Sequence, residues 1–188
     1  MISYEQAKRD LLILRKQYSD NNVEHHLFTT MFDYYALPND FPGFVESANI
    51  QNIRDRISYL EQKFQDSIGY NSFIPYIQLH EFEALLFVDI TRLQTEYPLC
   101  DKSITKLKED TDIYGDPELI NNDPSTAPIK RIIAAIASNY HYNKVQSGAA
   151  VTSAIGINAI LANCRHFNEW IQKIIQSLPV DNNLTPDN

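Results

Sequence analysis

Four side chains stand where the chain changes character. Asp33 closes the apolar run LFTTMFDYY (27–35), and His80, Glu81 and Glu83 open HEFEALLF (80–87) directly after FIPYIQL. Carboxylates beyond the C-terminal ends of strands occupy the usual ligand crevice of an α/β fold. Their hard oxygens suit a divalent cation such as Mg2+, and an imidazole beside them can position or deprotonate a water. Each residue also has a plainer reading. Asp33 serves equally as a turn or helix-capping residue before ALPNDFPGF, and Glu81 and Glu83 as first-turn acids that complement a helix dipole. Acids two residues apart splay around a helix. If His80 or Glu81 is still extended, one carboxylate can turn back over the strand end while the other caps the helix. The block is not the HExxH zinc motif, because Ala84 stands where the second histidine would be.

Cationic candidates lie further along. Lys130 and Arg131 follow STAP, with Pro128 suited to a first helical position. Basic residues in a first turn oppose the helix dipole, which points to a phosphate or carboxylate partner; surface solubility explains them as well. NYHYNKVQSG (139–148) brings Tyr140, His141, Tyr142 and Lys144 together, a set that can stack on and contact a nucleic-acid strand or pack on a core. CRHFNEWIQKII reads as a structural helix burying Phe167, Trp170, Ile171, Ile174 and Ile175, with His166 as a cap or packing residue.

The elements that must position these groups follow from periodicity. Ala7, Leu11, Leu14 and Tyr18 predict an amphipathic helix over 4–18, ended by the polar SDNNVEHH. Residues 27–35 predict a strand, and Ile53, Ile57, Leu60, Phe64 and Ile68 trace a helix over about 47–68. FIPYIQ predicts a strand in which Pro75 needs a position without an N–H bond. That strand, over 74–79, is expected in a sheet interior beside the one ending at Asp33, with a helix beginning over 81–88. In that arrangement Glu81 approaches Asp33, and Glu83 faces solvent or Lys130. Residues 102–110, 128–138, 152–163 and 167–177 predict helices. The connector over 113–128 is long and rich in proline, the kind of loop that often carries function. Residues 1–178 are read as one α/β domain with a helical C-terminal half, and 179–188 as a flexible tail.

Composition narrows the partners. The 188 residues carry a formal net charge of -8, so a broadly basic nucleic-acid footprint is absent and anionic membranes are disfavoured. Cys100 and Cys164 are the only cysteines and lack CxxC spacing, which argues against a disulfide framework or zinc knuckle. The N-terminus has no secretory apolar region and no run is long enough for a membrane span, so a cytoplasmic location is expected.

The blocks TTMFDYYALPNDFPGF, FIPYIQLHEFEALLFVD, GDPELINNDPSTAPIKR, IGINAI and CRHFNEW, in that order, resemble a bacterial family, domain of unknown function family 4276. The resemblance covers most of the chain. It implies a toprim-like, mostly parallel sheet of the kind used by topoisomerases, primases and some nucleases, and a setting in phage-defence loci beside an ATPase. By motif it sets Asp33 as the toprim-like aspartate, Glu81 and Glu83 as the acids of the HEFEALLF block, and Lys130 and Arg131 as the basic pair. Joined with the chemistry of the residues themselves, Asp33 and Glu81 are the expected ligands for Mg2+ or Mn2+, His80 and Glu83 further catalytic candidates, and Lys130, Arg131 and Lys144 phosphate or nucleic-acid contacts. Two departures stand out. Toprim domains pair two aspartates one residue apart, whereas Tyr34 and Tyr35 follow Asp33 here. The chain also begins after the strand-helix-strand unit, with its glutamate loop, that opens other members, so the expected sheet is incomplete and exposes an edge open to self-association.

Two functions are therefore carried forward. One is a metal-dependent, nuclease-like protein acting on phosphodiesters. The other is a non-catalytic binding or regulatory subunit, pairing with an ATPase or with a chain that supplies the missing unit.

Overall fold

The computed structural model describes residues 3–19, 26–121 and 123–178. In chain order they form α1 (Tyr4–Ser19), β1 (Phe28–Thr29), β2 (Phe32–Asp33), α2 (Phe44–Ser47), α3 (Ile53–Ile68), β3 (Phe73–Ile74) and β4 (Ile77–Gln78). A 3₁₀ stretch over Phe82–Arg92 follows, then α4 (Leu93–Glu96), α5 (Asp101–Thr111), α6 (Pro128–Ile136), α7 (Lys144–Ile155), α8 (Ile157–Asn163) and α9 (Arg165–Ser177). This is an α/β chain with a helical C-terminal half, and its strand pairs are parallel. The expected tail over 179–188 and most of SDNNVEHH lie outside the described residues.

The described residues gather into two compact units. One draws on the described residues within Met1–Met31, Pro38–Tyr76 and Glu169–Asn188, the other on those within Phe32–Leu37 and Ile77–Asn168. In the first, β1 pairs with β3, placing Phe28 opposite Phe73 and Thr29 opposite Ile74. Helix α3 starts at Asn52, whose side chain accepts the N–H groups of Arg54 and Asp55. It buries Ile57, Leu60, Phe64 and Ile68, which recur every three or four residues. Tyr4, Phe41 and Phe73 meet Phe64 edge to face with ring centres 5.0–5.8 Å apart. Trp170 stacks on Tyr76 at 4.4 Å and donates its indole N–H to Thr29 Oγ1 at 2.8 Å.

Several predicted boundaries move. The helix expected from 47 begins at Ile53, after the separate turn of α2. Leu14 and Tyr18 are exposed, so α1 buries Tyr4 and Leu11 rather than the whole predicted stripe. Ile175 is likewise exposed. The strand expected over 27–35 is two short segments, and FIPYIQ is two as well. Pro75 has no N–H to offer a ladder, and the pairing lapses at Pro75 and Tyr76.

In the second unit β2 pairs with β4, with Phe32 opposite Ile77 and Asp33 opposite Gln78. The expected neighbour relation holds, but β4 lies in a sheet of two strands, not in a sheet interior. The core is built by Leu86, Ile90, Leu93, Ile104, Ile132 and Ile136, with Cys100 among them. Cys164 is also buried. The helix predicted over 152–163 is instead α7 and α8, bent by 82° at Gly156, whose φ of +82° few other residues adopt. The connector over 113–128 folds into short 3₁₀ turns, at Pro117–Leu119 and Pro124–Thr126 among others. Glu118 leaves the first of these fully buried, and its two oxygens accept the N–H groups of His166 (2.7 Å) and Phe167 (3.0 Å) at the start of α9. No single helix among the described residues is long and apolar enough to cross a membrane.

Candidate functional site

The end of the β2–β4 ladder collects the acids. Glu81 is still extended (φ -148°, ψ 156°), and the tight 3₁₀ helix begins at Phe82. That backbone sends Glu81 and Glu83 in different directions. Asp33 reaches from the neighbouring strand, and its Oδ1 accepts the Phe82 N–H at 2.8 Å, capping the new helix. Glu81 Oε2 accepts the Ile129 N–H at 3.2 Å, in the first turn of α6. Glu83 is fully buried, not facing solvent or Lys130 as expected. Its partner is Lys144, the first residue of α7, whose Nζ lies 3.0 Å from Glu83 Oε2 and 3.2 Å from Asp33 Oδ2. A 3₁₀ turn has three residues, which carries Glu83 inward and leaves Glu81 to α6.

The charges act on one another. Burial, partly offset by the Ile129 N–H, raises the Glu81 pKa, and the charges of Glu83 and Asp33 raise it further. Burial alone would lower the Lys144 ammonium, but Asp33 and Glu83 outweigh it and hold the pKa above its ordinary value. Tyr142 packs against the same core, and burial together with the Glu83 charge pushes its phenol up. Gly148 leaves room for that phenol: a Cβ there would lie 3.3 Å from the Tyr142 oxygen.

His80 joins the strand to Glu81 with φ +63°, a backbone conformation few residues other than glycine adopt. Its carbonyl accepts the Tyr35 N–H at 3.1 Å, and the Tyr35 ring lies 5.4 Å from the imidazole. Burial lowers its pKa to about 4, so it is neutral at physiological pH. Three buried polar atoms here lack a well-formed hydrogen bond among the described residues: Glu83 Oε1, His80 Nδ1 and the Tyr142 hydroxyl, the last close enough to Glu83 to interact with it. Such atoms are uncommon in folded proteins, and each calls for a physical explanation.

The other predicted cations are placed differently. Arg131 donates to the Thr126 carbonyl at 2.8 Å and to the Tyr114 hydroxyl at 3.2 Å, while its guanidinium lies over the Tyr114 ring. Lys130 is exposed, and its charge acts on Asp123. Tyr140 packs on the core against Tyr97, leaving His141 exposed. Sequence reasoning missed the Tyr35 hydroxyl, which accepts from Asn121 and so ties the connector to the strand end. It also missed Lys144 as the partner of the acids. The signal was available, because Lys144 directly follows Asn143, a helix cap, and so opposes the dipole as Lys130 does.

The family model for a domain of unknown function, DUF4276, matches residues 2–175. The chain belongs to this family. No curated protein and no solved structure matches it significantly. Within the DUF4276 chain, the blocks DYY, HEFEALLF, STAPIKR and NYHYNK therefore meet in a single unit, around Asp33, Glu81, Glu83 and Lys144.

Proposed function

We propose that this DUF4276 protein is a nuclease-like enzyme that binds and cleaves phosphodiesters with a divalent cation, and that its parallel ladder is a toprim-like remnant serving a phage-defence system. One observation carries the reading: Asp33 and Glu83, with Glu81 coupled to both, converge on one positive charge at parallel strand ends. The donor set fits Mg2+ or Mn2+. Mg2+ is commonly held by one or two carboxylates and completed by substrate phosphate and water. Among the described residues no group of three or more His, Cys, Asp or Glu side chains is arranged to hold an ion, so the proposed site is built on two carboxylates. Asp33 with Glu81 or Glu83 would hold the ion, which would supply charge neutralisation at the phosphate.

The chain's own residues supply the rest. Lys144 offers a cation to a phosphate oxygen, and exposed Lys130 offers a second. His80 is neutral and weakly basic, which suits holding a water or phosphate oxygen by hydrogen bond more than removing a proton. The test is Mg2+- or Mn2+-dependent cleavage of single- and double-stranded DNA and RNA. The expected result is cleavage by the unaltered chain and a loss of roughly a hundredfold or more in Asp33→Ala. Equal residual cleavage by both proteins overturns the assignment.

A second reading, a non-catalytic subunit partnering an ATPase or a second chain, draws support from Arg131. Its guanidinium is already committed to Thr126 and Tyr114. That reading predicts nucleic-acid binding or partner binding without turnover in the same assay.

A further inference from the structure

We propose that Lys144 is a displaceable internal counter-cation. Its ammonium holds the place between Asp33 Oδ2 and Glu83 Oε2 that a divalent cation takes by exchange, making Asp33 and Glu83, rather than Asp33 and Glu81, the metal-binding pair. The inference rests on the reading of this corner as a cation-assisted phosphate site and names how that site is loaded.

The two oxygens are fixed and the cation is not. Asp33 is held through its other oxygen by the Phe82 N–H, and Glu83 is enclosed in the 3₁₀ helix. Lys144 sits on a flexible four-carbon stem at the first residue of α7, and its side chain is 46% exposed. It can leave toward solvent without moving a core residue. Glu81 is a poorer second ligand, because the ammonium bridges Asp33 and Glu83 while Glu81 Oε2 is turned to the Ile129 N–H of α6.

Glu83 supplies an independent indication. It is fully buried, yet among the described residues Oε1 makes no well-formed hydrogen bond and the Tyr142 phenol approaches the carboxylate only loosely, while Oε2 carries the ammonium. A buried carboxylate is costly unless its lone pairs are met. An ammonium on one oxygen meets that demand in part, whereas a divalent ion can be bound by both oxygens of a single carboxylate. Charge points the same way. Lys144 sets one positive charge against Asp33 and Glu83, with Glu81 nearby. Exchange for a doubly charged ion balances the pair and frees Lys144 to meet an incoming phosphate.

The experiment uses the full chain and Mn2+ alone, without nucleic acid. Affinity is measured by calorimetry for the unaltered chain, Lys144→Met, and Lys144→Met combined with Glu83→Gln. The expected result is binding tighter by at least about tenfold in Lys144→Met, within the range of coupled binding events, with the gain abolished by Glu83→Gln. Equal affinity in the unaltered chain and Lys144→Met overturns the proposal. A second measurement uses the unaltered chain and so does not depend on how the fold tolerates Lys144→Met. Acetylation of each lysine is followed by mass spectrometry with and without Mn2+. Lys144 is expected to react several-fold faster when Mn2+ is added, with exposed Lys130 unchanged; an unchanged Lys144 rate overturns the proposal. Exchange without cleavage of any nucleic acid would uphold this inference and sink the nuclease reading. Cleavage with no change at Lys144 would do the reverse.

Discussion

Two glutamates in the same unit, Glu118 and Glu83, are both fully buried, yet they are partnered in opposite ways. Glu118 gives each oxygen to a backbone N–H in the first turn of α9, where the helix dipole adds to the hydrogen bonds. Glu83 gives one oxygen to a lysine side chain, and the other makes no well-formed hydrogen bond among the described residues. Backbone donors cannot leave without unfolding the helix, so Glu118 fixes structure. A side-chain donor can be exchanged, so Glu83 keeps a buried charge available. Both side chains are fully buried; what differs is whether the compensating donor can be replaced.

The comparison breaks most sharply at Glu118. Glu118→Ala removes both acceptors and leaves two buried N–H groups at the α9 start, and is expected to cost about 3–4 kcal/mol in urea unfolding. A loss under about 1 kcal/mol would mean that water satisfies those groups and the cap is dispensable.

Next in size is the acid response of His80. Its folded pKa, about 4, lies below the ordinary 6.5, so the folded state favours the neutral ring. The associated stability is fully present above pH 6.5 and is lost as pH falls toward 4, about 3 kcal/mol in all. His80→Asn keeps a residue tolerant of positive φ but removes the titration, so its unfolding free energy should vary less between pH 6.5 and 4. Identical slopes in the two proteins would sink the assignment.

Lys144→Met tests the Glu83 side directly. The lysine is about half exposed, so solvent screens part of the loss and the expected cost is about 1–2 kcal/mol, smaller than at Glu118. A cost equal to that of Glu118→Ala would show that Lys144 is as structural as the α9 cap. The smallest effect is expected from Tyr142→Phe. Among the described residues its hydroxyl makes no well-formed hydrogen bond and only a loose approach to Glu83, so its removal should change stability by no more than about 0.5 kcal/mol. A larger loss in thermal melting would reveal a hydrogen bond to Glu83.

Periodicity made much of the fold legible. The α3 stripe and the starts of α5 and α6 follow from apolar spacing and from Pro128, whereas the parallel relation of the segments ending at Asp33 and Gln78 is implied by the family resemblance. Strand length did not. LFTTMFDYY has strand propensity throughout, but propensity does not state how many residues find a partner, and Pro75 interrupts pairing on the facing segment. The break at Gly156 was hidden because apolar residues continue across it. At the site, Asp33, Glu81 and Glu83 could be found from their places at strand ends. Which acid takes which cation depends on the 3₁₀ turn at Phe82, and a helix with a different pitch would have turned Glu83 elsewhere. Lys144 is 111 residues from Asp33, and a contact of that range leaves no local trace beyond an unfavourable charge at a helix start.

The placement of the chain's single tryptophan and its two thiols has a practical consequence. Trp170 stacks on Tyr76 in the first unit, whereas Cys100 and Cys164 are buried in the second. Indole fluorescence therefore watches one unit, and the rate at which a thiol reagent reaches the cysteines watches the other. The unaltered molecule carries two native reporters, and a denaturation followed by both tells, without any added label, whether its halves open in one cooperative step or in two.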